Sequence, residues 1–320
     1  MLKTIGVLTS GGDAPGMNPA IRAVVRKGIY HGLTVYGIEH GYVGLMEGQV
    51  KKMTPASVGG IIQRGGTILH TARSKFFMTH EGKLKAMETI EKYGIDALVV
   101  IGGDGSYHGA MDLSEYGVNV VGVPGTIDND IAGTEYTIGY DTALNTIIDA
   151  VDKIRDTATS HERTFIVEVM GREAGFLALM SGISCGAEAI LIPEIPFDLD
   201  ELSERLLKGI RRGKNHNIII LAEGVGKASR IAPLITEKTG LEIRISVLGH
   251  IQRGGIPTYL DRIMASRFGA EAVETLLRGE KNKAIGWKDG KLRVYDLKEA
   301  VSFKRKVDPE LYELSKILSI

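Results

Sequence analysis

The chain has 320 residues, 43% of them hydrophobic, with 39 basic side chains balancing 39 acidic ones and a single cysteine. This is enough apolar material for two domains or one large α/β unit, and the balanced charge excludes a global attraction to nucleic acid or an anionic membrane. Cys185 alone excludes an intrachain disulfide and a Cys-rich metal centre; with no signal-peptide pattern and no run near the ~20 apolar residues that span a bilayer, a soluble, cytoplasmic protein is expected.

In chain order, Ile5 to Leu8 reads as a strand running into Thr9-Ser10-Gly11-Gly12-Asp13. Asn18 and Pro19 follow as N-cap and first helical position, and Ile21, Val24, Val25 and Ile29 supply a helical stripe. Arg22 and Arg26, four apart, are by default a solvated basic face. Leu33 to Ile38 is a strand leading to Gly41-Tyr42, Thr54-Pro55 caps a short helix, and Gln63 to Thr67 is a turn or loop before Arg73. Glu81 to Tyr93 is an amphipathic helix closed by Gly94. Ala97 to Ile101 is a strand entering Gly102-Gly103-Asp104-Gly105-Ser106, and a helix from Ser106 to Tyr116 leads to the apolar run Val118 to Val123. Pro124-Gly125 stops that run and opens Thr126-Ile127-Asp128-Asn129-Asp130. Such repeated strand, loop and helix units predict a parallel sheet with right-handed crossovers.

Asp141 to Thr159 carries the longest helical pattern, with Arg155 near its end. Strands follow at Thr164 to Met170, leading to Gly171-Arg172, and at Ala189 to Ile192, stopped by Pro193. The helix Asp198 to Arg212 ends among Arg211, Arg212, Lys214 and His216, which complement its dipole. Asn217 to Ala222 is a strand ending at Glu223, and Glu242 to Leu248 runs into Gly249-His250-Ile251-Gln252-Arg253-Gly254-Gly255. A helix from Asp261 to Leu277, a hairpin about Asp289-Gly290 and a terminal helix ending near Ile317 complete the chain. The helix near Asp141 and the turn near Gly254 are the expected crossings between domains.

Three of these strand ends carry glycines, an aspartate and a hydroxyl. Glycines leave backbone N–H groups open to phosphate oxygens, and a helix start adds positive partial charge. The aspartates suit a hard cation such as Mg²⁺, and Asp128 and Asp130 fall at the carboxyl edge of a parallel sheet, where open α/β folds bind ligands. A simple Asx turn is the alternative for that cluster. The P-loop signature is absent, because Gly226-Lys227 precedes Ala228, and Gly103-x-Gly105 does not continue into the dinucleotide spacing. Arg73, Arg163, Arg172, Arg244 and Arg253 recur near strand ends, which suggests two phosphorylated ligands; His250 could be a phosphate or hydroxyl donor.

Gly102 to Ser106, Pro124 to Asp130, Met170-Gly171-Arg172 and Gly249 to Gly255 together resemble the bacterial ATP-dependent 6-phosphofructokinases, from Ile5 to Leu318-Ser319-Ile320. The resemblance implies two three-layer α/β domains with mostly parallel sheets, an ATP-binding domain of residues 1–138 and 251–301 and a sugar-phosphate-binding domain of residues 139–250 and 302–320. It implies transfer of the γ-phosphoryl of MgATP to the 1-hydroxyl of fructose 6-phosphate, a committed, regulated step of glycolysis. Asp128 would be the general base, with Thr126, Ile127 and Asp130 beside it, and Arg73 and Arg172 would offset charge on the transferring group. Asp104 would face Mg²⁺, while Gly12, Gly103, Gly105 and Ser106 would line the nucleotide with Tyr42, Arg73 and Ser74 nearby. Arg163, Arg244, His250 and Arg253 match the 6-phosphate pocket, Ile251 and Gln252 lie among them, and Met170, Gly171, Arg172 and Glu223 match the sugar contacts. In this family Arg163 and Arg244 serve a neighbouring subunit, implying a homotetramer. ADP or phosphoenolpyruvate would bind a separate interface lined by Arg22, Ala23, Val24, Val25, Arg26, Arg155, Gly186, Ala187, Glu188, Arg212, Lys214, Asn215 and His216.

Phe176 departs from an expected aspartate, Ile256 from a small hydroxyl residue, and Ser74-Lys75-Phe76 from a Pro-Glu pair before Phe. Pyrophosphate-dependent relatives typically carry Asp at the position of Gly105 and Lys at that of Gly125, so two glycines here point to ATP. Lipid and NAD kinases share the Gly-Gly-Asp-Gly loop but not the Asp128 and Arg253 loops. Retention of Asp104 and Asp128 argues against a noncatalytic regulatory subunit.

Overall fold

Val, Ile and Leu runs closed by glycine or proline become buried strands, and the amphipathic stretches between them become covering helices. The computed structural model describes residues 2–319, so Met1 and Ile320, the outermost residues of the expected domain ranges, lie outside the described residues. In chain order the elements begin β1 (Thr4–Ser10), α1 (Met17–Tyr30), β2 (Thr34–Ile38), α2 (Gly41–Glu47), β3 (Val50–Lys52), α3 (His80–Lys92), β4 (Ala97–Gly102), α4 (Asp104–Glu115), β5 (Asn119–Pro124) and α5 (Tyr140–His161). They continue with β6 (Thr164–Val169), α6 (Phe176–Ser184), β7 (Ala189–Leu191), α7 (Leu199–Arg211), β8 (Asn217–Ala222), α8 (Ala228–Thr239) and β9 (Ile243–Val247). The last are α9 (Tyr259–Leu277), β10 (Lys283–Lys288), β11 (Lys291–Asp296), α10 (Leu297–Ser302) and α11 (Pro309–Leu318). Among the described residues no helix is long and apolar enough to cross a membrane.

The chain divides into two compact units: Met1–Ile127, Ile131–Thr142 and Arg253–Arg305 form the first, and Asp128–Asp130, Ala143–Gln252 and Lys306–Ile320 the second. The chain passes between these units after Thr142, inside α5, after Gln252 and after Arg305, beside the expected domain limits of 138/139, 250/251 and 301/302, and the short stretch Asp128–Asp130 groups with the second unit.

In the first unit the sheet order is β11-β10-β5-β4-β1-β2-β3, parallel except for the β3 and β11 edges. Leu8, Leu98, Val100 and Val120 point to a core shared with Leu45 of α2, Ala86 and Ile90 of α3, Tyr107 and Leu113 of α4, and Leu297 of α10. On α1, Gly28 packs against Val35 and Ile5, and Ala20 meets Gly269 of α9. In the second unit the order is β7-β8-β6-β9, all parallel, and α7 and α8 cover Ile166, Leu191, Ile219 and Leu221.

Sheet order fixes where ligands can enter. After β1 the chain moves to β2 on one side, and after β4 it moves to β5 on the other, so the ends of the adjacent strands β1 and β4 flank a switch point. In the second unit β6 connects towards β7, while β8 connects past β6 to β9, and the adjacent ends of β6 and β8 flank another. Open α/β sheets bind ligands at such crevices.

Candidate functional site

At the first switch point, Ser106 Oγ donates to Ser10 O at 2.9 Å and Gly125 N to Gly102 O at 2.9 Å, locking the ends of β1, β4 and β5 together. Gly103 precedes α4, and a Cβ there would lie 3.2 Å from Thr126, so the amides of the first turn of α4 and the Thr126 hydroxyl share one small region. Asp104 and Gly105 are the first residues of α4, which begins two residues earlier than the Ser106 start read from the sequence. Asp104 keeps a partly exposed carboxylate, with His108 Nε2 3.6 Å away one turn on. Gly12 is required by close approach: a Cβ would fall 2.4 Å from Arg253 Nη1, and that guanidinium donates to Asp13 O at 3.2 Å. Arg253 therefore grips the β1 loop. Arg73 is exposed, while Ser74 Oγ accepts from Phe77 N at 3.0 Å in the turn that enters the short helix Phe76–Met78.

Tyr42 is buried, stacks on Phe77 with ring centroids 4.1 Å apart, and donates its hydroxyl to Ser106 O at 2.6 Å. Burial pushes its pKa well up, so it stays a neutral donor and supports the nucleotide loop from behind. Asn18 is not the N-cap: Gly16, at φ 110°, precedes α1, and the buried Asn18 side chain instead donates to Arg64 O (3.1 Å) and Gly65 O (3.2 Å) and accepts from Ile68 N (2.8 Å). This anchors a loop that a hydrophilic reading of the sequence leaves unplaced. Thr71 Oγ1 then ties the following segment to Gly11 O at 2.8 Å.

At the second switch point Asp128 is 3% exposed, and Arg172 Nε stands 3.5 Å from its Oδ2. A charge this buried needs a partner, which the guanidinium supplies. Arg172 is held at φ 53°, rare for a side chain of this size, and its N–H donates to Glu223 Oε1 at 2.9 Å. Gly171 before it has φ 131°, and a Cβ would meet Ala174 O at 2.4 Å. The backbone of the Met170-Gly171-Arg172 turn is thus held at both ends by side chains, Glu223 at Arg172 and Gln252 at Met170. Gln252 is fully buried, accepting from Met170 N at 3.1 Å and donating to Gly249 O at 2.9 Å, so its side chain braces the turn rather than facing solvent. His250 and Ile251 are exposed. Arg163 and Arg244 converge on Glu242, the former at 3.5 Å and the latter in a close ion pair. Glu242 was not singled out from the sequence, where it is one acidic residue at a strand start.

A second basic group in this unit lies away from that turn. Lys214 Nζ is 3.0 Å from Glu188 Oε1, Glu188 accepts from Ile218 N, and Arg155 reaches Cys185 O and lies 3.4 Å from His216 Nε2. Asn215 donates to Glu162 Oε1 at 3.1 Å, while Gly186 and Arg212 are exposed and Ala187 is buried. In the first unit, Arg22 and Arg26 keep partial or full exposure on α1, Ala23 packs on Gly269, and Val24 and Val25 are core residues. The valine side chains, like that of Ile127, are fully buried. Of the departures noted above, Phe176 is buried at the start of α6 and Ile256 is exposed.

The sequence model of one protein family, phosphofructokinase, matches residues 4–276. An ATP-dependent 6-phosphofructokinase of Halalkalibacterium halodurans is 59% identical over 319 residues, covering 100% of both chains. Among solved structures, phosphofructokinase from Saccharomyces cerevisiae superimposes with a TM-score of 0.88 at 41% identity, over 94% of this chain and 45% of that one. Pichia pastoris phosphofructokinase in the T-state gives a TM-score of 0.90 at 38% identity, over 99% and 39%. This chain spans less than half the length of either yeast chain.

Proposed function

That this chain belongs to the phosphofructokinase family is the premise from which we propose how its residues divide the work. Its activity is that of an ATP-dependent 6-phosphofructokinase, a glycolytic kinase: the γ-phosphoryl of ATP passes to the 1-hydroxyl of fructose 6-phosphate, giving fructose 1,6-bisphosphate and ADP. The observation that carries the assignment of roles is the buried Asp128 carboxylate beside Arg172.

Asp128 takes the proton of the 1-hydroxyl as its oxygen attacks the γ-phosphorus. Arg172 pairs with the Asp128 carboxylate before the reaction and, with Arg73, offsets the charge that builds on the transferring group. Gly12 and Gly103 to Ser106 receive the nucleotide phosphates through backbone amides at the start of α4, supported by Tyr42 and Ser74. Thr126 adds a hydroxyl next to those amides. Asp104 fits Mg²⁺, because one partly exposed carboxylate suits an ion that takes most of its ligands from phosphates and water. When bound, Mg²⁺ supplies charge neutralisation on the phosphates.

Arg163, Arg244, His250 and Arg253 receive the 6-phosphate, which would displace Glu242 from its two arginines, and Glu223 with Met170 to Arg172 contacts the sugar. Arg163 and Arg244 act for a neighbouring copy within a cytoplasmic homotetramer; Ile245 and Val247, exposed on the edge strand β9, support self-association. ADP and phosphoenolpyruvate compete for the basic group of Arg155, Glu188, Arg212, Lys214 and His216, together with Arg22 and Arg26 of α1. Asp128→Ser tests the central role. It should lower kcat by at least about a hundredfold while changing the KM for fructose 6-phosphate by less than about tenfold, because the base acts mainly in the transition state. Wild-type turnover in that variant would reject Asp128 as the base.

A further inference from the structure

We infer that Asp261 is a positioning residue for the phosphoryl transfer, its buried carboxylate fixing the Tyr136–Thr142 segment that backs the strand end from which Thr126 and Asp128 extend. The carboxylate comes from the first turn of α9, where Thr258 Oγ1 accepts from Asp261 N at 3.3 Å, and it is wholly buried. Its Oδ1 accepts from Tyr136 Oη at 2.5 Å and Gly139 N at 2.6 Å, and its Oδ2 accepts from Thr142 N at 2.9 Å and Thr142 Oγ1 at 2.5 Å. All four partners donate, so the surroundings match an ionised carboxylate. Burial pushes its pKa up from the usual carboxylate range, and the four donors offset that shift only in part.

Gly139 N and Thr142 N flank the start of α5 at Tyr140, where amides have no intrahelical acceptor. Helices are usually capped by the residue next in sequence; here the cap is a carboxylate 119 residues or more away in the chain, and its charge complements the helix dipole. The fixed segment then holds the strand end: Ile138 N donates to Pro124 O at 2.8 Å and Thr137 Oγ1 to Thr126 O at 2.6 Å. Gly139 is itself wedged on Ala14, where a Cβ would meet the alanine methyl at 2.7 Å, so the segment has little room to settle elsewhere. Loss of the carboxylate would free the Thr126 carbonyl from one side, two residues before the base. A displacement of that kind acts on reaction geometry before it acts on nucleotide affinity.

The inference rests on Asp128 being the base, and its test separates the two. Asp261→Asn keeps the shape but turns an NH₂ towards two donors, one of them a backbone N–H that cannot reverse. We expect kcat to fall at least about tenfold with the ATP KM within about threefold of wild type, in protein whose melting midpoint stays above the assay temperature. Thr142→Val should give a smaller fall of the same kind, Thr142→Ser should restore it, and Asp261→Asn with Thr142→Val should be less than additive. A folded Asp261→Asn enzyme with kcat within about twofold of wild type overturns the inference, as does a kcat loss that merely follows the unfolded fraction. If Asp261→Asn does not fold, the Thr142 pair decides on the same criteria. Inactivity of Asp128→Ser beside full activity of Asp261→Asn rejects only the positioning role, whereas activity of Asp128→Ser rejects the base itself.

Discussion

Tyr107 lies wholly inside the first unit, and among the described residues its hydroxyl has no hydrogen-bond partner. Burying such a group costs more than it returns, so Tyr107→Phe should leave the melting temperature unchanged or slightly raised. A fall of more than about 1 kcal/mol in unfolding free energy, by denaturant titration, would show that the hydroxyl is satisfied by ordered water. Other buried polar side chains are the opposite case. Tyr42, Asn18, Gln252 and Asp261 each direct a buried polar group at backbone, and Tyr42 and Gln252 brace turns that carry a proposed ligand contact. Residue type and spacing single out Asp104, Asp128 and Arg172 as candidates for the chemistry, because carboxylates and guanidinium groups beside glycine turns suit phosphate and cation binding. They do not reveal which polar side chain turns inward. Val24, Val25 and Ile127 show the same limit from the apolar side, since a stretch matched to a binding site includes residues whose side chains are buried in the core.

At the scale of elements, a strand ending in glycine and leading to a helix recurs wherever a ligand is proposed to bind. The first turn of α4 puts Asp104 and Gly105 on the helix itself, and a Cβ at Gly105 would meet nothing within 4 Å. Gly105→Asp should therefore fold normally, with the new carboxylate favoured by the helix dipole. The same charge would face the nucleotide phosphates, and the KM for ATP should rise at least about tenfold in steady-state assays, with the KM for fructose 6-phosphate little changed. An unchanged ATP KM would move the phosphates away from α4. Gly125 differs, because a Cβ there would lie 3.0 Å from Ile101 and 3.3 Å from Met17. Most strands and the long helices are legible because their periodicity and stop residues agree, as in β4, β5, α3 and α5. Helices α6 and α8 are not. The first, Phe176–Ser184, is buried on nearly every side and shows no polar face, and the second carries Pro233 in its interior, a residue that argues against a helix until tertiary packing outweighs it.

At the scale of the molecule, each unit has its own sheet and its own switch point. The first sets the Gly11 and Gly103 loops at the ends of β1 and β4, and the second sets Arg172 and Glu223 at the ends of β6 and β8. Two ligands with separate phosphate groups match that duplication. A long helix and a glycine turn lie near the places where the chain passes between the units. The grouping of Asp128–Asp130 with the second unit is not legible in the sequence, since it depends on contacts made far along the chain. The most direct test is to give the purified protein fructose 6-phosphate and Mg²⁺ and to follow fructose 1,6-bisphosphate with ATP and, in parallel, with pyrophosphate. Product with ATP and little or none with pyrophosphate is the predicted result. Product with pyrophosphate alone, or with neither donor, would contradict it.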